Sequence, residues 1–148
     1  MDFGNNYFEF IPLDSKWYEQ VVNLRYKNFF KDLNLPREIV SDSNEEESTH
    51  LVCINSERLL GYGRLTIDQN ISQISQVVVD PEVRGQGIAS EIISRLIKRA
   101  IENNSDKIYL NARLNAIDFY RKFDFKPVGE VFSSSKTTIP HQRMEKLS

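Results

Sequence analysis

Twenty-four residues, VVVDPEVRGQGIASEIISRLIKRA (Val77–Ala100), constrain this chain more than any other stretch. Three consecutive valines read as a strand buried on both faces, as at the centre of a sheet. Asp80 and Pro81 supply turn chemistry. Beyond a loop carrying Gly85 and Gly87, the residues Ile88, Ile92, Ile93, Leu96, Ile97, Ala100 and Ile101 recur on one wide stripe, which predicts an amphipathic helix. A helix N-terminus leaves backbone N–H groups unpaired and carries partial positive charge, so it attracts phosphates. The two glycines remove side chains that would block an anion, and Arg84 adds a full charge. A tight turn with no ligand would use the same glycines, so the loop alone leaves both roles open. Two nucleotide-binding patterns fit less well. GQGIAS lacks the third glycine of the dinucleotide fingerprint, and no Gly-Lys-Ser/Thr follows as in a P-loop.

The remaining segments predict a sheet with helices packed on it. YFEFI (7–11) alternates and ends at Pro12, as a first strand would. DSKWYEQVVNLRYKNFFKDL has helical periodicity through Trp17, Val21 and Leu24, with Asp14 or Ser15 as the cap. Residues 34–48 read as a loop or short helix. THLVCIN and RLLGYGRLTI form a hairpin through Ser56 and Glu57, and Gly61 and Gly63 mark a bulge or a close backbone approach. ISQISQVVVD and KIYLNA are further strands. NAIDFYRKF is a short helix with Asn115 as its expected N-cap, and FKPVGEVF and the segment near IPHQRMEKL are the last two strands. The order of elements predicts a mixed α+β architecture. With 148 residues, 40% of them hydrophobic, one domain spanning 1–148 is expected.

Charge narrows the partners. The chain has a net charge of −2, and this overall balance does not suggest nucleic-acid binding. Residues 1–83 hold seven basic and fourteen acidic side chains, whereas residues 84–148 hold twelve and seven. If the two parts line one cleft, the second suits an anion and the first a cation; alternatively both are ordinary solvated surfaces. Cys53, the only cysteine, sits in the apolar run HLVCI and reads as a core residue, and a reducing cytoplasm is the expected compartment. No signal peptide or membrane span is expected. His50 and His141 share no metal-ligand spacing with Cys53, so no metal is expected.

RGQGIA matches R/Q-x-x-G-x-G/A through Arg84, Gly87 and Ala89. With VVVDP before it and AIDFYRKFDFKPVGE after it, this stretch resembles the GNAT superfamily of acyl-CoA N-acyltransferases, over Ile74 to about Glu130. RYKNFF, the acidic stretch before THL, and IPHQRM are similar to the small bacterial ElaA-like branch. The resemblance implies a mixed, mostly antiparallel sheet flanked by helices on both faces. It also implies an acetyl-CoA-dependent transfer to a primary amine of a small molecule or peptide, by direct attack in a ternary complex. A catalytically silent acyl-CoA-binding module is the alternative, and a homodimer is among the assemblies it allows.

Site residues follow from the same resemblance. The backbone of Val77, Val78 and Val79 would grip the pantetheine arm and polarise the thioester. Arg84, Gly85, Gln86, Gly87, Ile88, Ala89 and Ser90 would hold the pyrophosphate. Tyr120 matches the tyrosine that protonates the departing thiolate; its other reading is a core aromatic beside Phe119, Phe123 and Phe125. His141 is the candidate base, or else a structural histidine of a terminal strand. His50 is expected to hydrogen-bond within its strand. The acceptor cleft is expected around Arg25, Tyr26, Phe29 and the glutamates 45–47, which equally suit a solvated loop. Three departures from the family pattern stand out: Arg113 in place of Asn or Gln, Asp124 in place of a turn glycine, and the long segment SSSKTT before IPH.

Overall fold

β-Branched and aromatic runs separated by turn residues build eight strands, and a computed structural model describes them within residues 5–148. They are β1 (Tyr7–Ile11), β2 (Thr49–Asn55), β3 (Arg58–Asp68), β4 (Ile71–Val79), β5 (Lys107–Arg113), β6 (Lys126–Pro127), β7 (Phe132–Ser133) and β8 (Pro140–Leu147). The sheet runs β1-β2-β3-β4-β5-β8-β6, with β7 also paired to β8. Every pairing is antiparallel except β4 with β5. A parallel pair needs a crossover, and the helix α2 (Ile88–Glu102) supplies it.

Alternation along β2 divides the interior between two faces. Leu51 and Cys53 face α2, packing with Ile88, Ile92, Ile93, Leu96 and Ala100. Val52 and Ile54 face the other way, where Trp17 and Val21 of the α1 (Tyr18–Phe29) region cover them with Tyr62 and Val78. Helices therefore lie on both faces, as expected for an α+β fold of this kind. The close approach anticipated at Gly61 and Gly63 is present: a Cβ on Gly63 would lie 2.6 Å from Ile92 Cγ2, and one on Gly61 3.0 Å from Ile92 Cδ1.

Pairing between β4 and β5 covers only Ile71–Gln73 against Lys107–Tyr109. Just beyond it, the register of β4 against β3 shifts between Tyr62 and Arg64, and Gln76 takes a left-handed φ of 60°. An extra residue in one strand bends it and increases its twist. The two parallel strands consequently part, and a cleft of about 430 Å³ opens between them.

Several local expectations are corrected. α1 begins after Trp17, and neither Asp14 nor Ser15 caps it; the Ser15 hydroxyl instead accepts from the Trp17 N–H at 3.1 Å in the preceding turn. Asn115 is not an N-cap, because a 3-10 turn over Leu114–Ala116 precedes the short helix α3 (Ile117–Arg121). Ile101 at the end of the apolar stripe is 48% exposed, since the helix runs past the sheet there. FKPVGEVF is not one strand: the chain turns at Gly129, φ 78°, and leaves the two short strands β6 and β7. Asp124 keeps the turn that glycine would make, at φ 69°.

Candidate active site

The floor of the cleft is the parted pair of strands. Gln76 and Val77 line it from β4, and Leu110, Ala112 and Arg113 from β5. Val77 is only half-buried, unlike a core valine, because the splay leaves it facing open space. The side chains of Val78 and Val79 are buried in the two cores, so only their backbone bears on the site. Their partners on β3 are Tyr62 and Gly61, and no β5 residue pairs with them on the other edge. Unpaired peptide groups beside a cleft are ready to bond a ligand amide or carbonyl. Gln76 Oε1 is likewise buried without a hydrogen-bond partner.

Past β4, the 3-10 turn Pro81–Val83 leads to the loop before α2. Gly85 and Gly87 have φ of 80° and 81°, a conformation that glycine adopts without steric cost. The first amide of the helix to find a backbone acceptor is that of Glu91, bonded to the Gly87 carbonyl at 3.1 Å. Among the described residues, the N–H groups of Gly85 through Ser90 donate to no carbonyl. Ile88 buries its side chain in the core and offers only its amide. A Cβ at Gly85 would meet nothing within 4 Å, so the nest opens to solvent. Arg84 is exposed beside it, its Nε 3.3 Å from the Val79 carbonyl.

Tyr120 lines the cleft from α3, and its hydroxyl makes no hydrogen bond to the described residues. Burial pushes the phenol up to about 12, so it stays protonated across the working pH range. Its ring also packs against Phe119 and Phe125, as the core reading expects. His141, on β8, lines the same cleft and stacks on Phe132. Its Nδ1 lies 2.8 Å from the Ile139 carbonyl. A carbonyl only accepts, so Nδ1 carries the proton when the ring is neutral, and Nε2 keeps a lone pair.

The wall contributed by the first half differs from expectation. Phe29 and Phe30 line the cleft, but Arg25 is fully buried and Tyr26 donates its hydroxyl to the Leu35 carbonyl at 2.7 Å. Glu46 and Glu47 are exposed, whereas Glu45 is buried and bonded to Arg25 at 2.6 Å, Arg64 at 2.9 Å and the Tyr18 hydroxyl. Arg64 also grips both oxygens of Asp42, at 2.9 and 3.0 Å. Burial pushes the Glu45 carboxyl up, but Arg25, Tyr18 and Arg64 outweigh it and hold it below the ordinary glutamate range. His50 does not bond within its own strand: Nδ1 meets the Tyr62 hydroxyl at 2.5 Å and Nε2 the Glu45 carbonyl at 2.9 Å. Burial holds its imidazole below the usual histidine range. Cys53 is buried, and its thiol is raised to about 11.

Arg64, Asp42 and Lys136 were not anticipated as cleft residues. A signal for Arg64 exists, since GYGRLTI places an arginine inside an otherwise apolar strand. Lys136 has none, because its position depends on a fold-back of the loop 134–139. Among the described residues no group of three or more His, Cys, Asp or Glu is placed to hold a metal, and no helix is long and apolar enough to cross a membrane.

A parallel strand pair splayed over a cleft, with an open nest of amides at the following helix, defines a class of acyl-group transferases. A sequence model of the acetyltransferase (GNAT) domain matches residues 13–148. The chain belongs to that family, as an N-acetyltransferase. It is 29% identical to the uncharacterized N-acetyltransferase YjcF of Bacillus subtilis, over 83% of this chain and 87% of that one. Protein ElaA of Escherichia coli is 28% identical, over 82% and 81% of the two chains. The ElaA crystal structure superimposes with a TM-score of 0.80 over 95% of this chain and 99% of that one, at 22% identity. An aminoglycoside 6'-N-acetyltransferase complexed with coenzyme A shares the fold, with a TM-score of 0.78 over 95% and 96% of the chains, at 15% identity.

Proposed function

We propose that the protein transfers an acetyl group from acetyl-CoA to a primary amine of a small molecule or peptide, by direct attack in a ternary complex. The observation that carries this reading is the run of unpaired amides from Gly85 to Ser90 at the end of the strand that walls the cleft. These residues fit a pyrophosphate: six consecutive N–H groups that donate to no carbonyl among the described residues adjoin a helix N-terminus and Arg84, and the space beside Gly85 is open. When bound, acetyl-CoA supplies an activated acyl group and a thiolate leaving group. The free backbone edge of Val77–Val79 holds the pantetheine arm and donates to the carbonyl oxygen where negative charge develops.

An amine is mostly ammonium at neutral pH and must lose a proton before it attacks. His141 Nε2 is the uncommitted base that lines the cleft, and its Nδ1–H bond to Ile139 fixes the tautomer that leaves Nε2 free. Gln76 Oε1 accepts from an amine N–H and aligns its lone pair. At the opposite end of the reaction, the Tyr120 hydroxyl, held protonated and unpaired, donates to the departing sulfur. The ammonium gives one proton through His141 to solvent before attack; the second N–H proton leaves the nitrogen after attack and restores Tyr120, which has protonated the thiolate, so one proton is released per acetyl group transferred.

Titration calorimetry with acetyl-CoA, followed by thiol-release assays on an amine panel, tests this reading. Saturable binding is expected, and Arg84→Glu should weaken it. Tyr120→Phe should lower kcat by roughly 10²-fold or more while leaving acetyl-CoA affinity within a factor of about three. Undetectable acetyl-CoA binding would overturn the proposal; an unchanged kcat would remove Tyr120 from the acid role.

A further inference from the structure

We infer that the acceptor is an amine that also carries an anionic group, a carboxylate or a phosphate ester, and that Lys136 and Arg113 hold that group in the cleft. The inference rests on the reading of the cleft as an amine-acceptor site and names the class of amine. It comes from the charges that line the cleft and from which of them are already neutralised.

Four formally charged side chains line the cleft: Asp42, Arg64, Arg113 and Lys136. Asp42 and Arg64 are bound to each other through both carboxylate oxygens, and Glu45 behind them is engaged by Arg64 and Arg25. Among the described residues the acidic first half of the chain therefore offers the cleft no free carboxylate, and a polyamine would find no unpaired counter-charge among them. Lys136 and Arg113 are different. Neither has a carboxylate within ion-pair distance among the described residues.

Lys136 folds inward on the loop 134–139 and donates one N–H to the Ile39 carbonyl at 2.6 Å. An ammonium has three donors, so two remain. Arg113 lies with its guanidinium carbon 5.7 Å from the centre of the Phe29 ring and makes no side-chain hydrogen bond to the described residues. Both cations are half-buried with idle donors, and an incoming anion satisfies those donors; Asp42, the acidic group nearest in effect to Lys136, is already held by Arg64 through both oxygens. An acid-bearing acceptor thus meets His141 with its amine and the two cations with its anion.

Matched pairs decide the question. β-Alanine against β-alaninamide reads a carboxylate, and 2-aminoethyl phosphate against ethanolamine reads a phosphate ester; putrescine supplies a cationic acceptor. Each is titrated into CoA-saturated protein, so binding is measured apart from turnover, and each is then assayed for acetylation. At least one anionic member should bind roughly tenfold tighter than its neutral partner. Lys136→Gln should abolish most of that preference, and Lys136→Arg should retain it. Equal or tighter binding of the neutral members or of putrescine would overturn the inference. So would failure of every member to bind, or a preference undiminished in both Lys136→Gln and Arg113→Gln. Anion-selective binding without acetyl transfer would instead sink the transfer reaction and leave this inference standing.

Discussion

The two faces of the sheet are built on opposite principles. On the α2 face, aliphatic side chains meet two glycines with no room to spare, and none of the buried charged side chains among the described residues packs there. On the α1 face, Arg25, Glu45 and Arg64 are buried together with His50 and Tyr62. Apolar burial stabilises in proportion to area, at about 25 cal/mol per Å². A buried ionic network adds little net stability over apolar packing but is costly to break, because the remaining charge is left without a partner. The first face therefore holds the fold, and the second holds a shape: Arg64 is fixed from behind by Glu45 and presents Asp42 to the cleft in one orientation.

Glu45→Ala is expected to have the largest effect on stability. It strands the buried Arg25 guanidinium and strips Arg64 of one of its two carboxylates, and a loss of about 3–5 kcal/mol in chemical denaturation would follow. A loss below about 1 kcal/mol would mean that water reaches the network, and the contrast between the faces would collapse. Ile92→Ala on the opposite face leaves a cavity without stranding a charge, for which about 3 kcal/mol is expected. Because Ile92 does not line the cleft, acetyl-CoA affinity should not change. Gly63→Ala follows at about 1–3 kcal/mol, since the new methyl group meets Ile92 and Leu96 at under 3 Å. A neutral substitution would show that α2 can shift away from β3.

The smallest effect is graded with pH. Burial keeps His50 neutral in the folded protein below the usual histidine value, and protonation would turn the Tyr62 hydroxyl from donor to acceptor at Nδ1. Because the folded value is depressed, the unfolded chain binds the proton first. The associated stability is complete above about pH 6.5 and is lost as pH falls from there through the lowered value. Glu45 adds a further loss below about pH 4.5 by the same logic. Thermal unfolding from pH 7.5 to 5 should show a decline in the wild type that is reduced in His50→Gln. Parallel curves for the two proteins would dissociate the network from the acid response.

Much of the apolar face was legible because its information is local. The stripe from Ile88 to Ala100 states its own period, and Gly61 and Gly63 interrupt a strand in a way that calls for a close neighbour. The amide nest was equally legible, since both glycines and Arg84 lie within four residues. The polar face was not. Whether Glu45, Glu46 or Glu47 turns inward depends on an arginine twenty residues earlier and another nineteen residues later. No period in the sequence records that choice. Val77 shows the opposite failure: an unbroken valine run promised burial, and the bulge beside Gln76 leaves it only half-buried. Asp124 holds a left-handed turn that sequence preference assigns to glycine.

The place of β8 bears on how the molecule is made. It follows in sequence every strand it touches, yet it lies between β5 on one side and β6 and β7 on the other. A growing chain can assemble β1 through β5 with α2, but β5 then waits with an open edge until residues 140–147 arrive to fill it. Such an edge can pair with another chain. Insertion of β8 closes the edge, and the same step carries His141 into the cleft. One strand thus both covers the β5 edge and brings His141 to the cleft, and a chain interrupted after residue 139 would forfeit both.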